Sequence, residues 1–135
     1  MDKQQFDKEK IIDHWVRNSN DDYDTMIAMF DSKRYSWSLF LGHLVLEKLL
    51  KAYFVKVNNE YPPYIHNLLR LATGAKIEIS DDLKLQLTTI SAFNINARYD
   101  DYKNSFRKRC TPEFTVKWFS IIKELRSWII KQIEE

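Results

Sequence analysis

Glycine and proline are scarce in this chain, at two and three in 135 residues. That shortage argues against an all-β fold rich in tight turns, which draw on these two residues. Long helices with few breaks are the economical reading. Cysteine is rarer still: Cys110 stands alone, so an internal disulfide and a multi-cysteine zinc site are both excluded. A single thiol suits a reducing cytosol. A charge excess is also missing, since the net charge is +2 in a chain that is 30% charged. Bulk electrostatics therefore gives no argument for nucleic-acid binding, and local patches must be judged separately. The N-terminal Met1–Gln5 stretch is polar, and no apolar run has the length of a signal peptide or a membrane span. A soluble, cytoplasmic protein with no membrane partner is expected. No glycine-rich phosphate loop, Gly-x-Ser-x-Gly elbow or His-Glu-x-x-His pair occurs, and no cofactor is expected. His14, His43 and His66 lack the spacing of metal ligands, so no metal site is expected either.

What the chain does have is aromatic residues, with 8 Phe, 7 Tyr and 4 Trp. They can fill a helical core or form interfaces. The length fits one domain spanning residues 1–135. Apolar residues at three- and four-residue steps (Ile12, Trp15, Val16, Tyr23, Met26, Phe30) place a first helix at about 7–31. Its middle, Arg17 to Asp24, is polar enough to mark a bend, a polar site or a solvated face. A second helix runs from about 35 to 57, stopped by Asn58 and Asn59 and followed by a stiff Tyr61-Pro62-Pro63 connector. A short third helix begins near His66 and ends at Thr73-Gly74, where glycine is expected to take a left-handed cap. Ser80 caps a fourth helix reaching about Asn96. Residues 97–110 form a polar, basic connector. Thr111 and Pro112 then start a last helix whose inward stripe includes Phe114, Trp118, Ile122, Leu125, Trp128 and Ile129.

The second helix is the unusual one. From Phe40 to Phe54 it is apolar on nearly every side, the pattern of a helix at the centre of a bundle. Yet it carries His43, Glu47, Lys48 and Lys51. At ~100° per residue, His43, Glu47 and Lys51 fall within about 80° of one another, while Lys48 points elsewhere. Glu47 four residues ahead of Lys51 is the favourable order for an intrahelical pair. That pair either satisfies itself in the core or extends toward a ligand or partner. His66, at the start of a short helix, is discouraged from protonation by the helix dipole, or is simply a cap or packing residue. The third feature is the segment from Asn94 to Arg109. There Arg98, Lys103, Arg107, Lys108 and Arg109 face only Asp100 and Asp101, with Tyr99 and Tyr102 between them. Arginine binds phosphate in a bidentate fashion, and tyrosine offers a plane on which a base stacks. A solvated loop is the plainer alternative. Arg109 and Lys108 lie beside Cys110, charge of the kind that is able to lower a thiol pKa, but no histidine base is near in sequence and the thiol is read as incidental.

Taken together, these segments resemble the HEPN family, the nucleotide-binding helical domains of higher eukaryotes and prokaryotes. The resemblance covers roughly Asp21 to Tyr102. It rests on Tyr23-Asp24 and Ala28, on the Lys33-Arg34-Tyr35 lead-in with Trp37, and on three ordered motifs. Leu46-Glu47-Lys48-Leu49-Leu50-Lys51-Ala52 is similar to the family's A-E-K-x-L-K-A. Pro62-Pro63 followed by His66-Asn67-Leu68 is similar to its P-x-x-T-H-D-L, with asparagine in place of aspartate. Ala97-Arg98-Tyr99 is similar to its A-R-Y-P, with Asp100 in place of proline. The resemblance implies an all-α, up-and-down bundle of four to five helices that dimerises. It also implies nucleotide or RNA binding, toxin–antitoxin relatives, and a minimal nucleotidyltransferase as partner. On this reading Arg98 contacts phosphate, and Tyr99 or Tyr102 stacks or hydrogen-bonds. Glu47 orients Arg98 or Lys51, His66 hydrogen-bonds nearby, and His43 belongs to the same ligand-binding set. Some members are ribonucleases with an Arg-x(4-6)-His motif. Here Asn104 stands six residues after Arg98, and no histidine follows His66. A non-catalytic binding module that forms a homodimer is therefore expected. The alternatives are a ribonuclease pairing Arg98 with Tyr102 or His43, and a purely structural or interaction protein.

Overall fold

The computed structural model describes residues 5–135. Six helices follow one another: α1 (Lys8–Asp31), α2 (Tyr35–Asn58), α3 (Leu68–Gly74), α4 (Asp81–Arg98), α5 (Ser105–Arg109) and α6 (Pro112–Glu134). The fold is all-α, a helical bundle as expected from the sequence, with two of the six helices short. Their ends follow local chemistry. The side chains of Asp7, Asn67, Ser80 and Thr111 each accept an N–H from the first turn of the helix they precede, satisfying donors that have no intrahelical partner. Asn59 closes α2 in the left-handed conformation, at φ 57°, which asparagine tolerates better than most residues. The expected left-handed cap at Gly74 does not form. No glycine has positive φ among the described residues, and Lys76 takes that conformation instead, at φ 62°. Gly74 matters for space: a Cβ there would lie 3.0 Å from the Phe54 ring.

α2 packs against all five other helices. Its apolar girth explains this, since a helix with no polar face is covered on every side. Leu39, Val45, Leu46 and Leu49 are completely buried, each contributing about 1.5–3 kcal/mol of transfer free energy. Where α1 and α2 cross, two buried hydroxyls tie them together. Ser19 donates to the Val45 carbonyl at 2.9 Å, and Ser38 donates to the Met26 carbonyl at 2.9 Å. Gly42 lets α6 approach, because a Cβ there would sit 2.5 Å from Ile122 Cδ1. Lys56 reaches across to the end of α6, donating to the Gln132 carbonyl at 2.7 Å and the Ile133 carbonyl at 3.0 Å. These carbonyls lie in the last turn, where a cation is favoured.

The polar middle of α1 is neither a bend nor an open site. The helix runs unbroken through it. Lys48 Nζ lies 2.6 Å from Asp22, and Arg126 donates to Asn20 at 3.2 Å while its guanidinium lies 3.7 Å from the Tyr23 ring centre. These polar residues thus dock α1 onto α2 and α6. Trp128 departs from the expected inward stripe of α6: it is among the exposed large side chains, whereas its neighbour Ile129 is buried.

The connector expected over 97–110 contains α5, and the two aspartates build it. Asp100 accepts N–H groups from Asp101, Phe106 and Arg107 at 2.9, 3.0 and 2.9 Å. Asp101 accepts those of Lys103 and Ser105, both at 3.0 Å. Asn104, which precedes α5, makes no capping bond, so Asp100 does that task from six residues back. Desolvation pushes the Asp100 carboxyl up, but the amide donors outweigh it and hold it below the usual carboxylate range. Asp101 is also lowered, by hydrogen bonds from Ser105 and Lys103 that outweigh its desolvation.

Candidate ligand site

The three ionisable groups expected on one side of α2 do lie together, and the connector after α2 adds a fourth. Glu47 is 4% exposed and Lys51 5%. Lys51 Nζ donates to Glu47 Oε2 at 3.1 Å. His66 Nδ1 lies 2.9 Å from the other carboxylate oxygen. A carboxylate only accepts, so the Nδ1 position of His66 carries the proton. The His66 side chain is 66% exposed, and its Nε2 edge is the one not turned to Glu47. Glu47 therefore does two things at once: it neutralises a buried lysine and orients an exposed imidazole.

His43 lies one turn earlier and is fully buried. Its Nε2 is 2.9 Å from the His66 carbonyl oxygen, so Nε2 donates and the neutral ring has its lone pair on Nδ1. Nδ1 has no hydrogen-bond partner among the described residues. Protonating it would bury an N–H with nothing to accept it. Burial lowers the His43 pKa below 6.5, outweighing the His66 carbonyl and the nearby Glu47 charge, which raise it. His43 is thus a neutral strut that pins the backbone of His66, not a proton carrier.

The placement of His66 follows from its surroundings. Pro62 is buried. Asn67 caps α3 by accepting the Arg70 N–H at 3.0 Å. Ser91 of α4 accepts the Leu68 N–H at 2.9 Å. His66 precedes the cap residue and is in direct contact with Glu47.

Arg98 stands at the C-terminal end of α4. Its Nε donates to the Asn94 carbonyl at 3.2 Å, and its guanidinium lies 5.9 Å from the Phe40 ring centre and 5.1 Å from that of Tyr99. Trp37 packs edge-on against Phe40 at 5.9 Å. No carboxylate lies within ion-pair range of Arg98 among the described residues, and its charge is felt at His43. Of the two partners expected for Glu47, Lys51 is the one it meets and Arg98 is not; its other oxygen engages His66. Tyr99 is 69% exposed and Tyr102 90%. Tyr102 has Lys103 as its near neighbour, 5.6 Å from its ring centre. The structure therefore joins His43, Glu47, Lys51 and His66 in one cluster, places Arg98 and Tyr99 together beside Phe40, and leaves Tyr102 on the loop beyond.

Sequence reasoning assigned no role to the residues at the other end of the cluster. Lys51 Nζ lies 5.1 Å from the ring centre of Trp15, and the two border a cavity of about 310 Å³ with Tyr61, Pro63 and Tyr64. Spacing gave Trp15 only the look of a core residue. The signal that would have found the cavity is the run of two prolines flanked by tyrosines. The charge beside Cys110 does not set its pKa: burial pushes the thiol up to about 11, outweighing the lowering effect of Arg109. No group of three or more His, Cys, Asp or Glu side chains suited to a metal occurs among the described residues, and none of their helices is long and apolar enough to cross a membrane.

The family model for the HEPN domain matches residues 12–133. The chain thus belongs to the HEPN domain family, known for nucleotide or RNA binding or ribonuclease activity. No match was found among curated proteins or among solved structures.

Proposed function

We propose that this chain is a non-catalytic HEPN module that binds a nucleotide or a single-stranded nucleic acid. Phosphate is held by Arg98, and His66 bonds to the ligand beside it. The observation that carries this reading is Arg98 itself. It is an exposed guanidinium packed between Phe40 and Tyr99 with no carboxylate among the described residues to neutralise it. Such a group is pre-oriented, and its fork of donors suits phosphate. His66 adds a second polar group whose orientation is fixed from behind by Glu47. Ordering these groups in advance lowers the entropic cost of binding. Exposed Trp37, Ile95 and Tyr99 give the same end of the bundle an apolar, aromatic rim suited to pairing with a second copy or with a minimal nucleotidyltransferase. A thermal-shift titration with ATP, UTP and a short single-stranded RNA tests the reading. A ligand-dependent rise in melting temperature that Arg98→Ala abolishes supports it. A rise of equal size in the variant refutes it.

One observation favours a second reading, a ribonuclease of unorthodox composition. The Glu47–His66 pair has the form of a carboxylate-held histidine, in which Nε2 is the base. RNA cleavage by wild type that is lost in His66→Ala would select this reading over the first.

A further inference from the structure

We infer that the cavity between the start of α1 and the Tyr61–Tyr64 connector is a base-holding subsite, and that the ligand is an oligonucleotide rather than a mononucleotide. The inference rests on the reading of Arg98 as a phosphate contact and extends it along α2, from Phe40 beneath Arg98 to Lys51 at the slot.

The cavity has the chemistry of a ring-binding slot. Trp15, Tyr61 and Tyr64 supply aromatic planes, and Pro63 supplies a flat apolar wall. Its volume, about 310 Å³, lies at the small end of ligand pockets and suits one ring system with its sugar. Two lysines, Lys10 and Lys51, border it, and no carboxylate does among the described residues. Lys51 is unusual for a lining residue: it is 95% buried, as 5% exposure means. Its ammonium donates to Glu47 at 3.1 Å, and that carboxylate also meets His66, so Lys51 has only a shared counter-charge. A ligand that brings a flat ring and a negative charge answers both features. A nucleobase with its phosphate does so. A proline-rich peptide would use the aromatic planes but not the lysines.

The slot and Arg98 lie at opposite ends of one strip. Phe40, under Arg98, and Lys51, at the slot, are eleven residues apart on α2, or about 16 Å along the helix axis. One nucleotide cannot engage both ends. A strand of several nucleotides can, with a base in the slot, backbone passing His66 and a phosphate at Arg98.

The test follows the Trp15 indole N–H by NMR, assigned with Trp15→Phe among the four tryptophans, during titration with a short single-stranded RNA. Wild type, Tyr64→Ala and Arg98→Ala are compared, with ribose 5-phosphate and a proline-rich peptide as controls. Tyr64 is fully exposed, so its truncation leaves the fold intact. RNA is expected to move the Trp15 signal, and Tyr64→Ala to weaken RNA binding at least about fivefold, the low end of one lost base stack. Arg98→Ala is expected to weaken RNA binding but to leave the Trp15 movement at saturation. Ribose 5-phosphate, lacking a base, leaves the signal still. If RNA binds through Arg98 while Trp15 does not move and Tyr64→Ala equals wild type, the slot inference falls and the Arg98 reading stands. If Trp15 moves and Arg98→Ala equals wild type, the slot stands and the Arg98 reading falls. No RNA binding to wild type overturns both. Movement with the peptide and none with RNA overturns the slot as a base site.

Discussion

Replacing Glu47 by glutamine keeps the shape of the side chain and removes its charge. The carboxylate now accepts from Lys51 at 3.1 Å and from His66 at 2.9 Å. A glutamine offers one acceptor oxygen and turns an NH2 group toward the other partner. His66 is largely exposed and can turn to water. Lys51 is 5% exposed and cannot, so its ammonium is left buried without a counter-charge. Breaking a buried ion pair by removing one partner costs about 3–5 kcal/mol. The surviving acceptor places Glu47→Gln near the lower end, at about 3 kcal/mol. For a chain of this length that is a fall in Tm of roughly 10 °C. Urea unfolding followed by far-UV circular dichroism, at one fixed protein concentration, reads it as a lower midpoint at unchanged slope. The double variant Glu47→Leu with Lys51→Leu removes both ions together. Apolar replacement of a whole buried pair is close to neutral, so the double variant is expected within about 1 kcal/mol of wild type. A Glu47→Gln variant as stable as wild type, or a double variant no better than the single, would refute the account of this pair.

Three further outcomes follow from the same geometry. His43 is held neutral, with its pKa lowered from 6.5. The unfolded chain therefore takes up this proton first as pH falls. Its contribution is complete above pH 6.5 and is lost on the way down to the folded value, at about 1.4 kcal/mol per pH unit; His43→Gln should flatten the Tm profile just below pH 6.5, and an unchanged slope there would contradict this. Asp100→Ala should speed amide hydrogen exchange at Phe106 and Arg107 in α5 and leave α2 unaffected; unchanged exchange would remove the aspartate from its capping role. Cys110, pushed up to about 11 by burial, should alkylate far more slowly than a free thiol at pH 8, and rapid labelling in the folded protein would count against its burial.

The architecture was legible because its signals are local. α2 announced itself as the central helix by being apolar all round, and Thr111-Pro112 and Ser80 marked helix starts through chemistry confined to one turn. The Glu47–Lys51 pair was legible for the same reason, being four residues apart on one helix. What lay outside the sequence depends on where a connector folds. The imidazole of His66 reaches Glu47 across nineteen residues, and no spacing rule specifies that. Asp100 read as a charge opposing a basic run, whereas it caps α5 through amides brought round by a turn. The direction in which the Cys110 thiol shifts was hidden because adjacent charge is visible in sequence and burial is not. Trp15 looked like a core aromatic because helical periodicity does not distinguish a packed ring from one bordering a cavity.

The most direct test of the account is fluorescence anisotropy with a labelled short single-stranded RNA, run on wild type, Arg98→Ala and His66→Ala at low and moderate salt. Saturable binding to wild type is expected, weakening as salt rises because phosphate contacts release counterions. Arg98→Ala should lower the affinity and flatten the salt dependence, and His66→Ala should lower the affinity without changing that slope. Binding of equal strength and equal salt slope in wild type and Arg98→Ala would contradict the claim that this arginine holds the ligand's phosphate.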